Sequence, residues 1–479
     1  MQLCVSRYEQ HVFGLPDRAI VFTNTERNTA ACARRYWFAE VEGLRPKVAA
    51  RPLRYGAAWG TLLDDLHTYW MKFDSEYPVD AVHRCVWCAG CGAIADERCA
   101  RCAGSGLGPV ARALREWERI EREHGKSDDF DPAEEAQTLT RCWEGYVLEY
   151  GRKPLDDYRV VGVEVAFAAP VINPSTGNPY SPVTWLVRTP EGMRVARTGE
   201  ARSEHAVSVR WPYYQIGKLD ALYQHRVTGD LWVWEGKSSK DPAGYMQGVS
   251  VDPQIGGYVW LVEHHLKEFP GATRVAGFMY DIVSSVKHGD PKPLAAAKVP
   301  VLDEEGKPLM KGKRQVWQVD ADGEPVLRCP GLSRAAGTIP SWRYRAALAK
   351  HGFDEKDYID HLDKLEAEID PKLYLRDFGT VGREPVARYA REVFAICGSL
   401  SAMRRAAATS TSPNDLDVAF PRTAICRLPG GRCPYRGPCL EDGPLVRQNF
   451  ETSTSVRWTE QQPTIAPPPA DDLGEELGW

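Results

Sequence analysis

Through the first third of the chain apolar residues recur every three to four positions, and then the pattern switches to alternation and short runs. Ala30, Ala31, Tyr36 and Trp37, then Leu62, Leu63, Leu66 and Trp70, fall at helical spacing, so residues 1–82 read as mainly helical. Helical patterning resumes at 110–123 and, past the acidic linker "GKSDDFDP", at 134–150. From Tyr158 the period changes: "YRVVGVEVAFAAPV", "YYQIGKLDALYQ", "LWVWEGKSS" and "RVAGFMYDIV" are β-rich runs separated by turn residues such as Thr228, Gly229 and Asp230. A helix over 253–269, with Ile255, Tyr258, Val259 and Val262 on one face, falls between the third and fourth runs. The order β-β-β-α-β predicts an α/β fold with a sheet core over 158–286. Residues 107–157 form a helical linker region and 287–340, built around "MKGKRQ", a basic arm or hairpin. Helices return in 341–445, and 446–479 reads as a disordered tail.

At 479 residues, 43% apolar and 26% charged, the composition excludes wholesale disorder and a fibrous architecture. No apolar stretch reaches the roughly 18 residues of a membrane helix, and the first residues lack the apolar core of a signal peptide, so a cytoplasmic protein without a membrane partner is expected. The net charge of -5 gives no bulk case for polyanion binding, so any nucleic-acid site must be a local basic channel.

Thirteen cysteines in such a chain point to metal ligation rather than disulfides. Cys88, Cys91, Cys99 and Cys102 make two Cys-x-x-Cys knuckles within 83–106, the spacing of a four-thiolate zinc site. Cys85 with Cys88 has equally good spacing, so one thiol is surplus. "CARCAGSG" resembles the zinc knuckles of DnaJ-type chaperones, which implies a zinc fold rather than chaperone activity. Cys426, Cys433 and Cys439 lie in the Gly/Pro-rich "CRLPGGRCPYRGPCL", with Cys32 as the best distant fourth ligand. The thiols themselves suit zinc or an iron-sulfur cluster equally.

Glu235 and Lys237 are two apart on a strand and share a face, with Trp232 and Trp234 on the other. Asp220 lies on the partner strand, so these residues read either as two hard oxygen ligands for Mg²⁺ or Mn²⁺ beside a cation or as a surface Glu/Lys pair on an antiparallel ladder. Gln254 and Tyr258 are i,i+4 and share a helix face.

"GKLD", "EGK" and "QIGGY" resemble, in order and spacing, the motifs of the PD-(D/E)XK nuclease superfamily in its RecB-like branch. The resemblance implies a restriction-endonuclease-like core with a mixed central sheet flanked by helices. It also implies a metal-dependent deoxyribonuclease acting on single-stranded DNA or duplex ends, with Asp220, Glu235, Lys237, Gln254 and Tyr258 catalytic. In the subgroup similar to AddB and the CRISPR adaptation nucleases, it implies that Cys32, Cys426, Cys433 and Cys439 hold a 4Fe-4S cluster. The family's metal-binding His is missing from "YGAAWGTLLDDLHTYW". One alignment puts Gly60 in its place and Asp64 over a Glu, and another puts Asp64 over the His, so Asp64 is the further expected ligand; His67, one residue short of the next helical turn, reads either as a substitute for it or as an ordinary solvent-facing histidine.

Lys311, Lys313, Arg314 and Trp317 read either as a groove that tracks a DNA strand by phosphate contact and stacking or as a solvated charged face. "EGKSSK" lacks the first glycine and the context of a P-loop, so no ATP motor is expected, and a helicase or recombinase would be a separate partner. The acidic "DDLGEELGW" ending in Trp479 is a candidate docking segment for it. The competing expectation is a decayed nuclease fold that binds DNA or a partner without cutting.

Overall fold

The computed structural model describes residues 15, 19–23, 26, 29, 31–47, 51–78, 84–94, 97–102, 104–124, 131–151, 156–189, 192–195, 206–248, 252–286, 290–334, 339–409, 420, 433–440, 447–448, 450–452 and 464–465. The chain divides into two compact units, residues 284–375 and the remainder.

The larger unit is built on a seven-stranded sheet. Its strands are β1 (Ile20–Thr23), β2 (Tyr158–Pro170), β3 (Tyr213–His225), β4 (Leu231–Ser239), β5 (Val275–Ser284) and β6 (Tyr374–Thr380), with Thr464–Ile465 on the far edge of β2. The order is β6-β5-β4-β3-β2, and β1 runs parallel to the first residues of β3. The β3 pairings with β2 and β4 are antiparallel, so the sheet is mixed. Strand β5 is buried along its whole length, as its nearly unbroken apolar run requires of a strand covered on both faces. The segment 1–82, read as helical, also supplies β1, whose four residues are all buried.

Five helices frame the sheet and its hairpin: α1 (Arg51–Phe73), α2 (Pro109–His124), α3 (Pro132–Tyr150), α4 (Pro253–Glu263) and α5 (Arg383–Thr409). Both α3 and α4 begin at an Asp-Pro pair. Asp131 and Asp252 accept hydrogen bonds from first-turn amides, and the proline takes a position whose N–H would have had no partner. Along α1, Tyr55, Trp59, Leu62, Leu63, Leu66 and Trp70 are buried. Each such side chain removed from water contributes about 1.5–3 kcal/mol. Trp59 meets Trp143 and Tyr146 of α3 edge-on, at 5.6 and 5.4 Å between ring centroids.

His67 differs from expectation. It is 1% exposed, and its ring lies 4.1 Å from Trp234 with Trp70 and Tyr223 around it. Burial, reinforced by Arg376, pushes its pKa well below that of an ordinary histidine. The reason is that this face of α1 is the one packed on the Trp234 side of β4.

Between β2 and β3 lies a small sheet of Val183–Thr189, Gly192–Val195 and Ala206–Arg210 that the sequence pattern did not announce. In residues 284–375, Leu332, Tyr344, Leu348, Tyr358, Leu362 and Leu365 belong to a separate core. Within this unit Met310–Lys311 pairs with Arg314–Gln315 across Gly312, whose φ of 66° suits a glycine turn. Among the described residues no helix is long and apolar enough to cross a membrane. Most of 446–479 lies outside the described residues, including "DDLGEELGW"; Phe450–Thr452 within it pairs with Leu44–Pro46.

Candidate active site

The hairpin of β3 and β4 carries the centre. Its register runs from Leu231↔Gln224 to Trp234↔Ala221, and one step further Asp220 stands across from Glu235. At the hairpin turn, Gly229 has φ 74°, and a Cβ there would lie 2.3 Å from the Gly271 carbonyl oxygen, so only glycine fits. Asp220 Oδ2 accepts from the Gly236 amide at 3.0 Å. Glu235 is 1% exposed. Its Oε1 accepts from Lys237 Nζ and from Gln254 Nε2, the latter at 2.9 Å. Its Oε2 is buried with no hydrogen-bond partner among the described residues.

The electrostatics follow from two carboxylates sharing one ammonium. Burial first, then the Asp220 charge, pushes Glu235 up to about 8 against the pull of Lys237. Burial also raises Asp220, opposed by Lys237 and the Gly236 amide. Burial would lower Lys237, but Glu235 and Asp220 together hold it above the ordinary lysine value, so the ammonium stays charged. A buried carboxylate oxygen without a partner costs about 1–3 kcal/mol, which a cation between Glu235 and Asp220 would relieve. The donor set is hard oxygen, the type that suits Mg²⁺ and Mn²⁺.

Helix α4 clamps this pair. Asp252 Oδ1 caps the helix by accepting from the Gln254 amide at 2.8 Å, while its Oδ2 accepts from the Tyr280 hydroxyl of β5 at 3.1 Å. Gln254 Nε2 then reaches both Glu235 Oε1 and the Tyr258 hydroxyl oxygen, the latter at 2.7 Å. Tyr258 packs over Gly217, where a Cβ would lie 3.2 Å from its ring and 2.6 Å from Leu261. The structure thus brings Asp220, Glu235, Lys237, Gln254 and Tyr258 into one cluster. The model of the PD-(D/E)XK nuclease superfamily matches residues 27–439. The chain belongs to this superfamily. For a PD-(D/E)XK nuclease the chemistry is metal-dependent hydrolysis and the implied substrate is DNA. Among curated proteins no match was found.

Asp64 is placed differently from the other expected ligands of this PD-(D/E)XK nuclease. Its Oδ2 accepts from Arg101 at 3.0 Å with Arg112 at 3.7 Å, and its Oδ1 accepts from Thr68 at 3.4 Å. Among the described residues the only three or more candidate ligands with donor atoms within 4.8 Å of one another are cysteines, so Asp64, Asp220 and Glu235 do not converge to that degree. Sequence reasoning missed Glu164 on β2. It falls between the pairs Val163↔Ala221 and Val165↔Leu219, opposite Asp220, and adopts φ 56°, unusual for a side-chain-bearing residue. Glu164 pairs with Lys218; burial, then Asp220, pushes it up to about 7, and Asp64 adds to the rise. No spacing motif marks it, because its relation to Asp220 exists only in the strand register.

The thiol knuckle gathers Cys85, Cys88, Cys99 and Cys102, with Cys85 in the place expected for Cys91. Cys91 is exposed, its thiol turned to the carbonyls of Cys88 and Ala93. The reason is a pseudo-symmetric repeat. "CVWCAGCG" and "CARCAGSG" superpose Cys85 on Cys99, Cys88 on Cys102 and Cys91 on Ser105. The Gly92 and Gly106 amides each donate to the second sulfur of their knuckle at 3.2 Å, and Gly90, Gly92, Gly104 and Gly106 all have positive φ. Burial pushes Cys85 up to about 12. At Cys102 the Gly106 amide and neighbouring thiols outweigh burial and lower it to about 7. Four convergent buried thiols suit a soft or borderline metal ion.

Cys32 is buried beside Tyr36, and Cys433 and Cys439 pack with Phe38, Leu44 and Tyr435 in a small core. Cys426 lies outside the described residues. Cys142 and Cys397 are buried as small apolar residues, whereas Cys329 is half-buried. Lys311, Lys313, Arg314 and Trp317 belong to the 284–375 unit, with the three cations on or beside its short hairpin.

Proposed function

We propose that this PD-(D/E)XK nuclease is a cytoplasmic RecB-like exonuclease that hydrolyses single strands or duplex ends of DNA in recombination or repair. The buried Oε2 of Glu235, without a hydrogen-bond partner among the described residues and beside Asp220 and Lys237, carries the reading. Glu235 and Asp220 would hold Mg²⁺ or Mn²⁺. When bound, the ion supplies Lewis acidity to the scissile phosphodiester and lowers the pKa of an attacking water. Lys237, kept protonated by its two carboxylates, orients that water and offsets phosphate charge rather than acting as a base. Gln254 fixes Glu235, and Tyr258 braces Gln254 from the same helix face.

In the same proposal Cys85, Cys88, Cys99 and Cys102 hold structural Zn²⁺, and Cys32, Cys426, Cys433 and Cys439 hold a 4Fe-4S cluster that ties the ends of the nuclease domain together. The basic hairpin would engage DNA, with a helicase or recombinase as a separate motor or loader. One observation favours the alternative of a non-cutting binding module: the motif His is missing, and Asp64, the residue expected to serve in its stead, is taken by arginines.

Anaerobically purified protein, incubated with end-labelled single-stranded and duplex DNA and Mg²⁺ or Mn²⁺, should release labelled products that Lys237→Ala abolishes. Intact DNA in both incubations, with DNA still bound, would favour the binding module.

A further inference from the structure

A cleft of about 710 Å³ lies at α1, α2 and the second turn of the thiol knuckle. One side is a stripe of α2. Arg112, Arg115, Arg119 and Arg122 follow at steps of three, four and three residues, so they share a helix face. Arg101, held between Cys99 and Cys102, adds a fifth guanidinium. The facing part of α1 presents small residues, and a Cβ at Gly60 would meet nothing within 4 Å. Asp64, Glu116 and Glu164 are the acids in the lining, so cations outnumber anions here in a chain whose net charge is -5.

Three of the arginines are already engaged: Arg101 on Asp64 at 3.0 Å, Arg112 on Asp65 at 2.7 Å and Arg119 on Glu116 at 2.6 Å. Arg115 and Arg122 are exposed and pair with no carboxylate among the described residues. The lining also includes Glu164, whose register position faces Asp220, so the cleft adjoins the catalytic hairpin. Guanidinium groups repeated along a helix and opening onto a small-residue floor suit a chain of phosphodiesters, which they contact through paired N–H groups.

We propose that this cleft is the track for the DNA backbone, with Arg115 and Arg122 contacting successive phosphates and Arg101 delivered to the track by the folded knuckle. It rests on the nuclease reading only in naming the polyanion as DNA.

The test is fluorescence anisotropy of a labelled single-stranded oligonucleotide across a salt series, with no divalent ion added. Arg115→Glu/Arg122→Glu should bind about ten-fold more weakly or worse, and its log-log salt slope should be shallower by about 1.4, two contacts at about 0.7 each. Arg115→Gln/Arg122→Gln should show the same ranking with a smaller loss. The same charge change at the exposed Arg391 and Lys267 should leave affinity within about two-fold of wild type. An unchanged slope in the cleft variants, an equal loss in the control, or a mononucleotide competing as strongly as the oligonucleotide would each overturn the assignment. Because cleavage is not read, failure of the nuclease reading would leave this measurement intact.

Discussion

Gln254 Nε2 stands 2.9 Å from Glu235 Oε1 and shares that oxygen with Lys237, so among the described residues every hydrogen bond to the carboxylate falls on one side and Oε2 is left bare. A helix side chain therefore decides which oxygen of the strand carboxylate is left to a further ligand. Gln254→Ala should lower kcat by roughly ten- to hundred-fold, the worth of a hydrogen bond to a charged group, with KM for DNA little changed. Steady-state cleavage kinetics check the split; a rise in KM alone would assign Gln254 to DNA binding.

The raised carboxyls fix the sign of a pH dependence. Glu235, at about 8, and Glu164, at about 7, bind protons in the folded protein that the unfolded chain has already released. Their contribution to stability is therefore fully present below about pH 4.5 and is lost as pH rises through about 8. Metal-free protein should show a denaturation midpoint that falls over this window, and Glu235→Gln should flatten the fall. Added Mg²⁺ should restore stability most at the high end, because it replaces a proton there. Urea titrations at several pH values measure both effects.

The two knuckle variants should part sharply. Cys85→Ser should lose the knuckle's metal ion, whereas Cys91→Ser should keep it, because Cys91 lies outside the converging quartet. Elemental analysis of the purified variants decides this. Equal metal loss in both would place the ion on the Cys91 arrangement.

His67→Leu should retain DNA cleavage and gain roughly 1 kcal/mol of stability, because the buried imidazole leaves Nε2 without a partner among the described residues, inside an aromatic box. A loss of activity with unchanged folding would instead make His67 part of the catalytic machinery.

The hairpin was legible because its signal is local: Asp220, Glu235 and Lys237 sit on two strands joined by a tight turn, and Gln254 and Tyr258 follow within one helix. Period and spacing show which of them share a face, whereas a catalytic reading of them rests on the resemblance of "GKLD", "EGK" and "QIGGY" to the superfamily's motifs. The knuckle was half legible. The thiols were unmistakable, but the choice between Cys85 and Cys91 required the eight-residue repeat whose glycine amides reach the sulfurs, a regularity that Cys-x-x-Cys spacing alone does not display.

Local pattern in the chain is enough for the long strands of the main sheet, for the longer helices and for the chemistry at short range, though not for β1 or the small sheet between β2 and β3: alternation defines strands, and nearby carboxylates and thiols find one another because few conformations separate them. What only the tertiary structure decided lies between elements distant in the chain. The burial of His67 against Trp234, the capture of Asp64 by Arg101 and Arg112, and the approach of Glu164 to Asp220 are contacts between packed faces. Helical spacing shows that Arg112, Arg115, Arg119 and Arg122 form a stripe. Whether that stripe faces solvent or a cleft depends on where α1 and the knuckle come to rest, and that is set by burial of the Trp59 and Trp70 side of α1 rather than by anything in the stripe itself.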